Sequence, residues 1–246
     1  MAQHENCFHL RTSRIVTLTT AAMFVLAPLV ARAADDSTEQ ARVKASGEVL
    51  TELINSPEGI PPSVLNKSEC IIILPSVKKA GFIVGAQYGR GIMSCRSGDK
   101  FDGPWSAPIM MQSSGGSFGL QAGGEATDYV ILVMNDKGAR ALLKGKAKLG
   151  GDASVAAGPV GRSAEASTNA AMSAEMLSYS RAHGVFGGLS LSGSTLAPDG
   201  GANEKLYGKK VSGQEIFSGA VTAPPVASDL LSTLQSKSPG NASKGK

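Results

Sequence analysis

Between residues 41 and 54, apolar side chains at Val43, Leu50, Leu53 and Ile54 fall near one face of a helix, with charged residues between them. The spacing predicts a helix from Ala41 to Ile54, stopped by Pro57, Gly59, Pro61 and Pro62. The pattern then changes. Residues 70–75 read Cys-Ile-Ile-Ile-Leu-Pro, a short continuous apolar run whose β-branched content and flanking breakers favour a buried strand. From Gly81 to Tyr129, glycine recurs at 81, 85, 89 and 91, then at 115, 116, 119, 123 and 124. Short apolar pieces lie between: Phe82-Ile83-Val84, Ile92-Met93 and Ile109-Met110-Met111. This predicts several short antiparallel strands with bends or close backbone approaches at the glycines. The run Tyr129 to Met134 is expected to be a central strand, and Asn135 to cap a short helix from Asp136 to Leu143.

Further along, residues 146–158 and 177–194 are Gly- and Ser-rich with strand-like apolar positions. Ser212-Gly213-Gln214-Glu215 matches a capping box and should open a helix through Phe217. Pro224 and Pro225 precede a last amphipathic piece with Val226, Leu230, Leu231 and Leu234. By composition, residues 236–246 are expected to be a disordered tail. The predicted fold class is α+β: a single domain with a strongly curved, glycine-rich antiparallel sheet or barrel and a few short flanking helices. It should occupy residues 41–235, after a polar leader at 34–40.

The N-terminus has the pattern of a signal peptide over residues 1–33. Arg11 and Arg14 precede an apolar run from Ile15 to Val30, and Ala31-Arg32-Ala33 matches the cleavage pattern. The expected location is therefore periplasmic or secreted, with association to the cell envelope. Charge changes meaning once the leader is set aside. The chain has 24 basic and 20 acidic residues. Without Arg11, Arg14, Arg32 and Glu5, 21 and 19 remain, and Lys237, Lys244 and Lys246 lie in the tail. The folded part is close to neutral, which argues against a nucleic-acid partner. Cys7 leaves with the leader; Cys70 and Cys95 remain. In an oxidising compartment they could close a disulfide, and two buried unpaired thiols are the alternative. Two cysteines and the one remaining histidine, His183, show no metal-ligand spacing.

The catalytic candidates are weak. Gly115-Gly116-Ser117-Phe118-Gly119 formally matches G-x-S-x-G, with His183 as the required base and Asp128, Asp136 or Asp152 as the acid. The following Gly-Leu-Gln-Ala-Gly-Gly is poor helix material, so a glycine-rich strand is expected instead. No phosphate-cradling P-loop exists: Gly145-Lys146 lacks the preceding glycine and the following Ser or Thr. Neither an enzyme nor a bound cofactor is expected. Lys144, Lys146 and Lys148 alternate at strand spacing, so a shared sheet face is expected. That face is either an ordinary solvated one or a contact for anionic head groups. The same two readings apply to Lys78-Lys79 and Lys209-Lys210.

Taken in order, Ser-Glu-Cys-Ile-Ile-Ile-Leu-Pro (68–75), Lys-Ala-Gly-Phe (79–82), Gly-Arg-Gly (89–91) and Trp-Ser-Ala-Pro (105–108) resemble the SYLF domain family. So do Gly-Gly-Ser-Phe-Gly-Leu-Gln-Ala-Gly-Gly-Glu-Ala-Thr-Asp (115–128), Gly-Gly-Asp-Ala-Ser-Val-Ala-Ala-Gly-Pro-Val-Gly-Arg (150–162) and Gly-Val-Phe-Gly-Gly-Leu-Ser-Leu-Ser-Gly (184–193). The resemblance covers residues 40–218. It implies a non-enzymatic module that binds phospholipid or a membrane surface; eukaryotic relatives bind phosphoinositides. It also implies actin binding, which some fungal relatives show and the family name carries. A periplasmic protein would not meet actin, so that activity is not transferred. In eukaryotic relatives an N-terminal amphipathic helix is tied to membrane binding. The counterpart here holds Arg42 and Lys44 against Glu48 and Glu52. The alternative expectation is a structural or protein-interaction module of the cell envelope.

Overall fold

A computed structural model describes residues 38–81, 84–118, 123–160, 173–182, 185–188 and 193–243. The expected signal peptide, residues 34–37 of the polar leader, and His183 lie outside the described residues. Helix α1 (Glu39–Asn55) starts where Thr38 accepts from the Ala41 N–H, and a short α2 (Pro62–Leu65) follows it. Next come β1 (Cys70–Gly81), β2 (Val84–Cys95), β3 (Ile109–Phe118) and β4 (Gly123–Val133), then α3 (Asp136–Lys144). After them come β5 (Ala147–Lys148), β6 (Val155–Ala157), β7 (Met176–Ala182), β8 (Val185–Gly188) and β9 (Ser194–Pro198). The chain closes with α4 (Gly200–Tyr207), α5 (Gly213–Phe217) and α6 (Ser228–Lys237).

The strands form one sheet in the order β5-β9-β3-β2-β1-β4-β7-β6, with β8 also paired to β7. It curls into a half-barrel. All pairs are antiparallel except β6 with β7, which is parallel. Both faces of the central strands are covered, which explains why residues 70–74 are apolar without alternation. Ile71, Ile73, Met110, Val130 and Leu132 pack with Leu50 and Leu53 of α1 and Leu230 and Leu234 of α6. Ile72, Leu74, Met111, Ile131 and Val133 pack on the opposite face with Leu142 of α3 and Ile216 of α5.

Strand β1 continues past Pro75, where the expected strand ended. Between the pairs Ile73–Ile92 and Lys78–Tyr88, β1 carries one residue more than β2, so it bulges. Against β4, residues 75 and 76 oppose Asp128 alone. A bulge tolerates proline inside a sheet because it breaks the ladder locally. Ser76 takes up the bend at a φ of 51°, and its N–H donates to Asp128 Oδ1 at 2.8 Å. Asp128 also accepts from Arg181 Nε at 2.9 Å, and Arg181 pairs with Glu52 of α1. The bulge and α1 are thus tied through one carboxylate and one guanidinium.

Local signals place the helix starts. Asn135 Oδ1 accepts from the Gly138 N–H at 2.9 Å, and both halves of the Ser212–Glu215 capping box are present. Replacing Asn135 by alanine removes that acceptor and is expected to cost about 1 kcal/mol. A urea midpoint unchanged from the parent protein would show that the cap contributes nothing.

The structure corrects two expectations and adds one helix. Lys144 is the last residue of α3, Lys146 lies in the loop after it and Lys148 in two-residue β5, so the three share no sheet face. The α3 register overrides the apparent alternation, because Leu142 and Leu143 bury their side chains on the helix. Helix α4 was not predicted: it opens on Gly200-Gly201, poor helix formers, and depends on the Asp199 side chain accepting from the Ala202 N–H at 3.0 Å. Residues 236–243 do not leave the surface. Ser236 and Lys237 complete α6, Ser238 is fully buried, and the Ala242 N–H donates to Asn66 O at 2.7 Å.

Cys70 and Cys95 are register partners at one end of the β1–β2 pair. Their sulfur atoms stand at bonding distance, 2.07 Å, and close a loop with a sequence separation of 25.

Candidate functional site

Alternation along β1 and β2 sorts the cationic residues. Lys78 and Lys79, adjacent in sequence, project to opposite faces. Lys79 is half-buried with Nζ 5.2 Å from the Tyr129 ring centre, on the α3 side of the sheet. Lys78 is exposed on the α1 side, directly opposite Tyr88 of β2. Two residues on from Tyr88, Arg90 projects the same way. Its guanidinium carbon lies 5.6 Å from the Tyr88 ring centre and its Nε donates to the Tyr88 hydroxyl.

These side chains meet the first turns of α1 across a cleft of about 740 Å³. Ala41, Arg42, Lys44, Ala45 and Glu48 line one wall, and Pro75, Ser76, Lys78, Tyr88, Gly89 and Arg90 the other. Four cationic side chains face one carboxylate within the lining. Neighbouring acids moderate this. Arg42 pairs with Glu39 at 3.7 Å, Lys44 with Glu48 at 3.9 Å and Arg90 with Asp199 at 3.5 Å. Lys78 has no carboxylate within ion-pair distance among the described residues. Tyr88 is 45 % exposed, the one large apolar side chain so placed among the described residues. An exposed aromatic ring beside unneutralised positive charge suits a ligand with an anionic head and an apolar or interfacial body.

The other expected lysines are elsewhere. Lys144, Lys146 and Lys148 are exposed around α3 and β5, and α3 packs on the sheet face opposite α1. Lys209 and Lys210 are exposed between α4 and α5. Only Lys78 of the expected set enters the cleft. Lys44, Tyr88 and Arg90 were missed as site residues. The alternation Tyr88-Gly89-Arg90 was visible in the sequence, but that Tyr88 stands opposite Lys78 requires the strand register. Ser117 of the G-x-S-x-G match lies within β3, paired with Gly85, and so is not on a strand-to-helix turn.

Among known proteins, the family described as Ysc84, Las17-binding protein actin regulator, matches residues 114–237. An SH3 domain-containing protein of Schizosaccharomyces pombe is 37 % identical over 210 residues, covering 82 % of this chain and 48 % of its own length. Protein YSC84 of Saccharomyces cerevisiae is 35 % identical over 205 residues, covering 82 % and 43 %. SH3 domain-containing YSC84-like protein 1 of Bos taurus is 36 % identical over 207 residues, covering 81 % and 60 %. The chain thus spans about half the length of the curated relatives it matches. They overturn the expected periplasmic or secreted location, because they are yeast and mammalian proteins and not periplasmic or secreted ones. A leader-like composition at residues 1–33 does not by itself address a protein. A family match over half the chain, supported by relatives that align with four-fifths of it, shows that the chain belongs to the Ysc84 family of SYLF-domain proteins.

Proposed function

We propose that this protein is a non-enzymatic binding module that takes a phosphate-bearing lipid head group into the cleft between α1 and the β1–β2 pair. The observation that carries the reading is the convergence of Lys44, Lys78 and Arg90 beside exposed Tyr88. Phosphate presents several acceptor oxygens. Lysine meets them as a point charge and arginine as a fork of donors. Tyr88 would sit at the level of the head groups, where an apolar ring with a polar tip is favoured. Because the folded part is nearly neutral, long-range attraction is weak, and binding depends on these local charges and on apolar contact that salt does not screen.

The test is co-sedimentation with vesicles of phosphatidylcholine alone and of phosphatidylcholine with an anionic phospholipid. Each lysine near an anionic surface contributes about 1 kcal/mol, so Lys44→Ala with Lys78→Ala is expected to weaken binding to anionic vesicles by tenfold or more. Lys144→Ala with Lys148→Ala, around α3, is expected to leave it unchanged. If the second pair has the larger effect, the cleft is the wrong site.

A second reading rests on the family description. Las17 binding and actin regulation are what that description names. The ground for setting actin aside was a periplasmic location, and that location no longer stands. If no vesicle composition binds while the protein co-sediments with filamentous actin, a protein-interaction module is the better description.

A further inference from the structure

The C-terminal segment Ser238-Pro239-Gly240-Asn241-Ala242-Ser243 is held as a ligand is held. Its composition is polar and gives it no apolar face to bury. It is nonetheless fixed by a pocket assembled from two distant stretches of chain, residues 65–69 and 96–105. At the pocket's centre is Arg96, fully buried at the end of β2. Its guanidinium carbon stacks 4.4 Å from the Trp105 ring centre. Nε donates to Ser68 O at 3.3 Å. Every other hydrogen bond of the guanidinium among the described residues goes to the segment, all from Nη2, while Nη1 is buried without a partner there. Nη2 donates to Ser238 O at 3.1 Å, Ser238 Oγ at 2.5 Å and Gly240 O at 2.8 Å. Trp105 Nε1 also donates to Ser238 O, at 2.9 Å.

The second anchor is Asn241. Its Nδ2 donates to Glu69 Oε2 at 2.7 Å and to Phe101 O at 2.8 Å. Glu69 is 1 % exposed, and its other oxygen accepts from Ser243 Oγ at 3.1 Å. The contacts therefore read three side chains: a serine, an asparagine three residues later and, at an exposed position, a serine two residues beyond it. The positions between are not read: Pro239 is exposed, and a Cβ at Gly240 would meet nothing within 4 Å. A buried guanidinium that loses most of its acceptors is strongly disfavoured. An empty pocket would therefore take up a replacement with the same pattern.

We propose that Arg96, Trp105 and Glu69 form a peptide-recognition pocket selective for a Ser-x-x-Asn segment, and that residues 238–243 are its ligand in cis. The segment exchanges between docked and released states. Tethering to α6 keeps its effective concentration high, so the docked state dominates until a competing Ser-x-x-Asn peptide is abundant. The pocket shares no residue with the cleft at α1, and the inference stands independently of lipid binding.

Trp105 is the chain's one tryptophan, so its emission reports occupancy of the pocket in the intact protein. In the full chain, Asn241→Ala removes a hydrogen bond to a buried carboxylate. It is expected to raise the exchange rate of the Ala242 amide about tenfold or more, with the amides of β1 and β4 unchanged. Ser243→Ala, at a more exposed position, should do the same to a smaller extent. Excess Ser-Pro-Gly-Asn-Ala-Ser peptide added to the Asn241→Ala protein should restore protection of Trp105 from acrylamide quenching. A peptide with alanine at its fourth position should not. Three results would each overturn the proposal. The segment amides of the parent protein could exchange as fast as those of the free peptide. Asn241→Ala could accelerate β1 and β4 as much as the segment, which would make the contact merely structural. Or the two peptides could act alike.

Discussion

Alanine in place of Gly91 is expected to remove most of the protein's folding stability. Gly91 lies in β2 beside the bulge of β1, where the two backbones approach closely. A Cβ there would stand 1.9 Å from Ile73 O and 2.8 Å from both Ile73 C and Leu74 Cα. All three are backbone atoms of the central strand, so no rotamer change can make room. β1 is hydrogen-bonded to β2 on one side and β4 on the other, and moving it disrupts both ladders. Overpacking by a flexible neighbour costs about 1–3 kcal/mol. A clash with a doubly paired backbone belongs to the exceptional class above about 4 kcal/mol. Against a usual total of about 5–15 kcal/mol, that is a large share. Gly116→Ala is the control, since its nearest described neighbour, Gly85 O, is 4.0 Å away. Urea denaturation should show Gly116→Ala near the parent midpoint and Gly91→Ala largely unfolded in buffer. Equal midpoints for the two would show that the close approach does not exist in solution.

The second large effect is expected at the Cys70–Cys95 pair. The full chain has three cysteines. Denatured without reductant, it should expose one reactive thiol, that of Cys7. Closing a loop of this length restricts the unfolded chain and stabilises the fold by about 3 kcal/mol in the chain-entropy account. Reduction, or Cys70→Ala with Cys95→Ala, is expected to lower stability by that amount. Both cysteines are fully buried among apolar side chains, so the reduced pair should still pack without leaving an unpaired polar group. Three reactive thiols in the unreduced protein would rule the bond out.

The expected exported location shows where reading by pattern is weakest. The cleavage-like Ala31-Arg32-Ala33 is a local feature, whereas the family similarity runs through the folded domain and has far more independent positions behind it. The lysine triplet failed for a related reason. Lys144, Lys146 and Lys148 satisfy a strand period, but a helix capped nine residues upstream at Asn135 had already set the conformation of the first of them.

Features that depend on neighbours within a few residues are legible along the chain. The Asn135 and Ser212 caps are hydrogen bonds within one turn, and the amphipathic spacing of α1 needs only a helical period. The unbroken apolar run at 70–74 announced a strand buried on both faces, and the recurring glycines announced a curved sheet. Which distant residues meet is set by tertiary packing alone. Lys78 became a site residue because the β1–β2 register sets it against Tyr88 and α1 closes the cleft above it. Pro75 sits within a central strand because Asp128, 52 residues beyond Ser76, accepts the N–H freed by the bulge. Residues 238–243 are held in place because Arg96, 142 residues before Ser238, is buried and its guanidinium needs acceptors. Composition predicts disorder for a segment that cannot bury apolar area, but carries no sign of a buried charge elsewhere that such a segment can satisfy.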